Sequence, residues 1–168
     1  MSDADSVIEI GKPSSERIAE VVDSWARLVA SQQEYGTKLL MTENRATARE
    51  WLAELLISDR LLVATADDDL CGFVTFAIER DRFDRGVVTG LIHNLFVERE
   101  YRNQGIGSEL LAAAEESLRD RGAARIRLEV MARNVRAGEF YERDGYEKHR
   151  ITYMKSLEQT DTHNGQEG

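Results

Sequence analysis

The stretch "VEREYRNQGIGSELL", Val97 to Leu111, decides how the chain is read. An apolar run ends at Val97. Charged residues follow, then Gly105 and Gly107, then the apolar spacing of an amphipathic helix. Glycines at a helix mouth can relax a turn. They can also let the backbone approach a large anion, because no Cβ stands in the way. The first N–H groups of a helix lack intrahelical partners, and the helix dipole adds partial positive charge there. Arg102 contributes a cation, and Asn103 and Gln104 contribute polar side chains beside the turn. Arg-x-x-Gly-x-Gly therefore makes physical sense as a pyrophosphate cradle. Two other phosphate loops do not fit. A Walker A loop needs Gly-Lys-Ser/Thr, and no lysine follows Gly107. A dinucleotide fingerprint needs a third glycine in an early β-α-β unit. Here that position is Leu110, or Ser108 by a looser count, and the segment lies past mid-chain.

The rest of the composition narrows the class. With 168 residues, 42% of them hydrophobic, the chain fits one globular domain. We place that domain at 1–157 and expect the polar stretch 158–168 to be a disordered tail. No apolar run approaches the ~20 residues that span a bilayer. The acidic start "MSDADSVIEI" is unlike a secretory signal, so a cytoplasmic location without a membrane partner is expected. The single cysteine, Cys71, allows no internal disulfide and no thiolate zinc cluster, and no metal site is expected. It lies in the strand-like "DLCGFVTF" and reads as a buried structural thiol. A net charge of -9 and a pI of about 4.9 argue against a nucleic-acid partner. Of the 22 cationic residues 18 are arginine. That bias suits a high-salt cytoplasm, and a GC-rich genome accounts for it equally well.

Outward from the glycines, the periodicity predicts a mixed α/β (α+β) chain. "SVIEI" reads as a first strand. "SSERIAEVVDSWARLVASQQ" places Ile18, Val21, Val22, Trp25, Leu28 and Val29 on one helical stripe, with Ser14 or Ser15 as a cap. "ENRATAREWLAELLISD" is a second helix, with Asn44 as its cap. "RLLVATADDDLCGFVTFAIERD" reads as a hairpin, and "GVVTGLIHNLFV" as a longer strand. After the helix that stops at Gly122 come the strand "ARIRLEVM", a short helix capped by Asn134 and ended by Gly145, and a last strand "YEKHRITYMKS". The order is β-α-α-β-β-β-α-β-α-β. Adjacent strands in mid-chain favour a mixed sheet over a doubly wound parallel one.

Three segments in this order, "HNLFVEREYRNQGIGSELL", "RIRLEVMARN" and "NVRAGEFYERDGYEKH", resemble the GCN5-related N-acetyltransferase (GNAT) superfamily. They cover Leu91 to about Met154. The resemblance implies a strongly twisted mixed sheet of six or seven strands flanked by helices. In that fold the fourth and fifth strands splay apart, and the donor, acetyl-coenzyme A, inserts between them. It further implies that backbone groups of Leu95, Phe96 and Val97 pair with the pantetheine arm. The pyrophosphate would sit on the amides of Arg102, Asn103, Gln104, Gly105, Ile106 and Gly107, with Ser108 close by. Asn134 would bond the pantetheine, and Tyr141 would face the sulfur. Dimers are common in the family, and the last strand is expected at or near an edge that could serve one.

The residues agree with that picture on their own terms. Asn134 and Tyr141 are seven positions apart, two helical turns on one face, and Phe140 lies beside that face. A simple N-cap for Asn134 and a core aromatic for Tyr141 are the bland readings. Tyr146 reads as core packing in the last strand, and Arg133, Arg136 and Arg143 as solvated surface or phosphate contacts. Tyr141 is the candidate proton donor to the leaving thiolate. Many family members carry a Glu-Asp pair on the fourth strand, where this chain has His93-Asn94. His93 is therefore one candidate base and Glu129 a second, while Glu98 and Glu100 read as solvated loop residues. "SQQEYGTKLLMTENR", with Glu34, Tyr35 and Glu43, and "DRFDRG" are candidate acceptor rims. The expected activity is transfer of an acetyl group to a small-molecule or protein amine. A degenerate coenzyme A-binding sensor or scaffold is the alternative that the missing carboxylate leaves open.

Overall fold

A computed structural model describes residues 6–36, 41–80 and 86–158. Strand β1 (Ile8–Gly11) is followed by a short 3-10 turn, Ser15–Arg17, and helices α1 (Ile18–Gln33) and α2 (Met41–Ile57). Strands β2 (Leu61–Ala66), β3 (Asp69–Ile78) and β4 (Thr89–Val97) come next. A second 3-10 turn, Arg99–Tyr101, leads to α3 (Ile106–Asp120), β5 (Arg125–Leu128) and α4 (Val135–Arg143). The five strands lie in sequence order, antiparallel as far as β4, with β5 parallel to β4. The turn between β2 and β3 uses Asp67 and Asp68, both at positive φ, as a tight hairpin requires.

Each face of the sheet carries one apolar layer. The α1 stripe and the α2 residues Leu52, Leu55 and Leu56 pack on Leu61, Val63, Phe73 and Phe96. On the opposite face Ile106, Leu110, Leu111, Ala114 and Leu118 of α3 pack on Ala64, Val74, Phe76 and Ile92. Alternation along the strands divides the layers, since neighbouring side chains point to opposite faces. Cys71 is fully buried in the α3 layer, as its setting predicts.

Three local features differ from the sequence-based expectation. Helix α2 begins at Met41, so Asn44 lies inside its first turn rather than capping it. Ser14 precedes a 3-10 turn and makes no side-chain cap bond. Among the described residues the sheet has five strands, because "YEKHRITYMKS" forms no strand and is exposed after Tyr146. The physical reason lies in its pattern: Lys148 and Arg150 alternate with Glu147 and His149. Neither face is apolar enough to fix a register. The predicted tail beyond Glu158 falls outside the described residues. Among the described residues no helix is long and apolar enough to cross a membrane.

Candidate active site

Strand β4 organises the site. On one edge it pairs with β3 from Gly90 to Val97. On the other it pairs with β5 only from Thr89–Arg125 to Ile92–Leu128. From His93 onward that second edge has no strand partner among the described residues. Leu95 and Val97 thus turn main-chain groups toward whatever enters beside them. Phe96, expected to do the same, does not: the Glu98 amide donates to the Cys71 carbonyl, and strand alternation turns the Phe96 groups to β3 as well. A glycine brings β3 close here: a Cβ on Gly72 would stand 2.4 Å from the Phe96 carbonyl oxygen. Sequence reading missed Gly72, although a glycine inside a strand run is the recognised signal for close backbone approach.

The β3–β4 register shifts between Thr75–Asn94 and Phe76–Ile92, which leaves His93 as the extra residue of a β-bulge. Bulges re-aim a side chain and often adjoin active sites. The His93 ring meets Trp51 of α2 edge-on at a centroid distance of 6.4 Å. Partial burial, then the positive charges of Arg60 and Arg127, hold its pKa below the ordinary 6.5. Asn94 instead donates to the buried Thr75 hydroxyl at 2.9 Å. Glu129 lies just past the end of β5. Its side chain is 87% exposed and pairs with Arg127 at 3.2 Å, and Arg127 also pairs with Glu79. Both side chains are exposed, but their settings differ: His93 is re-aimed on the strand against Trp51, whereas Glu129 is held in an ion pair with Arg127.

The glycine loop has the electronic character that the sequence suggests, but its two glycines do different jobs. Gly105 takes a left-handed backbone, φ 82°, as the N-cap of α3, and open space surrounds its missing Cβ. Asn103 also has positive φ, 62°. The first helical bond runs from the Glu109 amide to the Gly105 carbonyl, so the amides of Ile106, Gly107 and Ser108 have no intrahelical acceptor. Gly107, by contrast, admits a neighbour. A Cβ there would meet Phe140 Cζ at 3.3 Å and Val97 Cγ2 at 3.7 Å. Gly107 therefore joins the α3 mouth to α4 and the end of β4. Two polar contacts tie the same parts together: Arg136 donates to Asn103 Oδ1 at 3.3 Å, and Ser108 to Asp144 at 3.4 Å. Arg102 turns back on the strand. Its Nε donates to the Val97 carbonyl at 3.0 Å, and its guanidinium stands 5.4 Å from the Phe96 ring centre. Gln104 is exposed.

Helix α4 brings the remaining candidates. Asn134 caps it, its Oδ1 accepting from the Ala137 amide at 3.1 Å. That cap leaves the Asn134 side-chain amide as a donor. Tyr141 packs edge-on against Phe140 at 5.1 Å and Tyr146 at 5.7 Å. Burial pushes its phenol up to about 12. Tyr146 is half-buried and donates to Glu115 at 2.8 Å, so its packing role holds while its strand does not form. Among the described residues no cluster of metal-binding side chains is present.

One reading needs correction. Glu98 is a buried residue, not a solvated one: it is 7% exposed and held by Ser24 and Arg27 of α1, whereas Glu100 is exposed. An open groove of about 400 Å³ lies beside this pair and includes none of Asn134, Phe140 or Tyr141. Of the acceptor rims, Glu34, Tyr35 and Glu43 lie within the described residues, while 37–40 and 81–85 fall outside them. A Cβ on Gly36 would stand 4.0 Å from Met131, so the chain leaving α1 passes over the end of β5.

Known proteins share this sequence pattern and this fold. The family model described as "Acetyltransferase (GNAT) family" matches residues 25–146. N-alpha-acetyltransferase 30 of Schizosaccharomyces pombe is 34% identical over 53% of this chain and 67% of its own length. Aminoalkylphosphonate N-acetyltransferase of Salmonella typhimurium is 40% identical over 40% of this chain and 44% of its own. The solved structure of an aminoglycoside N-acetyltransferase in complex with CoA superposes with a TM-score of 0.67 at 17% identity. It covers 94% of this chain and 99% of that one, a likeness of fold.

Proposed function

Because the chain belongs to the acetyltransferase (GNAT) family, and so is an acetyl-CoA-dependent acyltransferase, we propose that it moves the acetyl group to a primary amine by direct attack. The observation that carries this reading is the junction at Gly107. There the free amides of α3, the unpaired edge of β4 and the aromatic face of α4 converge. The residues present fit the donor. The amides of Ile106, Gly107 and Ser108 suit its pyrophosphate, with Arg102, Asn103, Gln104 and Gly105 shaping the approach. Leu95 and the Val97 amide suit an extended arm that takes the place of the missing strand partner, and Asn134 still has an amide to donate to it. Phe140 supports the loop through Gly107 rather than lying free for the arm.

The chemistry asked of the chain is modest. Holding donor and amine together supplies much of the rate. The Val97 amide, on the open edge of β4, polarises the thioester carbonyl. Tyr141 stays protonated at neutral pH and donates toward the departing sulfur. His93 is the better base of the two candidates. Its lowered pKa keeps it mostly neutral at pH 7, and the bulge turns it toward the α2 side of the sheet, opposite the α3–α4 side that would hold the donor. The names of the three relatives given above all specify N-acetylation, which supports an amine acceptor. Acetyl-CoA titration by calorimetry, followed by product analysis after incubation with an amine, tests the reading. Binding together with an acetylated amine is the expected result. Binding without any acetylated product would favour a coenzyme A sensor, and absence of binding would refute both.

A further inference from the structure

We infer that Glu98 is a positioning residue for the donor: through Ser24 and Arg27 it fixes the base of the loop that would receive the pyrophosphate. The inference rests on the reading of that loop given above. Glu98 follows directly on β4 and precedes the 3-10 turn Arg99–Tyr101. All its groups are held. Its amide donates to the Cys71 carbonyl at 2.7 Å, and its carbonyl accepts from the Tyr101 amide at 2.9 Å. Its carboxylate takes the Ser24 hydroxyl at 2.7 Å and Arg27 through Nε at 2.9 Å and Nη2 at 2.8 Å. The neighbouring carbonyl, of Val97, is capped by Arg102 from the far side of the loop. Both ends of the Glu98–Arg102 segment are therefore anchored, one to α1 and one to β4.

Burying a carboxylate carries a desolvation penalty, and an apolar residue of similar size would fill the same space without it. What the apolar residue would lack is direction. Two bonds from one guanidinium and a third from a hydroxyl fix where the strand ends and how the turn leaves it. The amides of α3 lie only a few residues beyond, so an error at Glu98 propagates to them. A positioning role of this kind predicts that donor binding suffers while the chemical step does not.

The test compares Glu98→Gln and Arg27→Gln with wild type, below the melting temperature of each. It uses acetyl-CoA and the truncated donor S-acetyl-pantetheine, which has no pyrophosphate. The expected result is a rise of about tenfold in the Kd and KM for acetyl-CoA, the scale of one charged hydrogen bond, with kcat within about twofold. The loss in kcat/KM should be at least about fivefold smaller with S-acetyl-pantetheine, and the double variant should lose no more than either single one. Arg27 is the more exposed partner, so its variant keeps the test open if Glu98→Gln folds poorly. Equal losses with both donors, or unchanged acetyl-CoA binding in folded variants, would overturn the role of Glu98. Wild type that binds no acetyl-CoA would overturn the loop reading itself, and this inference with it.

Discussion

Gly107 and Phe140 are in contact across the mouth of α3, with room for a hydrogen but not comfortably for a methyl group. This contact sets α4, and hence Asn134 and Tyr141, against the loop. In the substitution Gly107→Ala two effects oppose each other. Alanine favours the helix by about 1 kcal/mol, while a Cβ at 3.3 Å pushes the Phe140 ring by a few tenths of an ångström. We expect a melting temperature close to wild type and a KM for acetyl-CoA raised by about three- to tenfold, since displaced binding groups lose affinity steeply. Adding Phe140→Leu should restore much of the KM. Steady-state kinetics on both variants check this, and an unchanged KM in Gly107→Ala would make the contact incidental.

Tyr141→Phe removes a hydroxyl and little else. We expect kcat to fall by roughly 10²-fold with acetyl-CoA affinity unchanged. Burial pushes the phenol up to about 12. Loss of its proton therefore should not produce a basic limb in the wild-type profile below about pH 11. Turnover unchanged in Tyr141→Phe would remove this residue from the chemistry.

For the base, the sign of the pKa shift gives the pH dependence. His93 is held below its ordinary value of 6.5, so it is neutral above about pH 7.5. The rate of the wild type should be flat there and fall as pH drops below 6.5. The same shift means that the neutral ring stabilises the fold above pH 6.5, and that this contribution is lost as pH falls toward the folded-state pKa. His93→Ala should abolish this acid limb and lower kcat/KM by roughly 10²-fold, and Glu129→Gln should change it by less than about twofold. The pH–rate profiles of both variants decide between them. A retained limb in His93→Ala, lost in Glu129→Gln, would reverse the assignment.

Gly72→Ala tests how the β4 edge is held. A Cβ there collides with main chain, which cannot rotate away as a side chain can. We expect a loss of about 1–3 kcal/mol, or roughly 2–12 °C in melting temperature for a chain of this size. Thermal denaturation measures it directly.

Much of this site was legible because its signals are local. Gly105 at positive φ, the cap at Asn134 and the two-turn spacing to Tyr141 follow from short stretches of sequence. The α1 stripe and the α3 helix were legible for the same reason, since one periodicity runs through each. Long-range relations were not legible. The bulge at His93 depends on the register between β3 and β4, which no stretch of β4 alone records. The burial of Glu98 depends on Ser24 and Arg27, more than seventy positions away. Its only hint was that Glu98 continues the face of Phe96, two residues earlier. The last strand was over-read because the alternation of Tyr146 to Ile151 fits a strand, yet alternating charges give no face for the sheet to bury.

The central claim, acetyl transfer from acetyl-CoA to an amine, is tested most directly by free-thiol release. The chain would be incubated with acetyl-CoA and a panel of small amines, aminoglycosides and peptide amines, with Tyr141→Phe run alongside. The account predicts amine-dependent thiol release by the wild type that falls by roughly 10²-fold in the variant. Tight acetyl-CoA binding with no amine-dependent thiol release across the whole panel would contradict it.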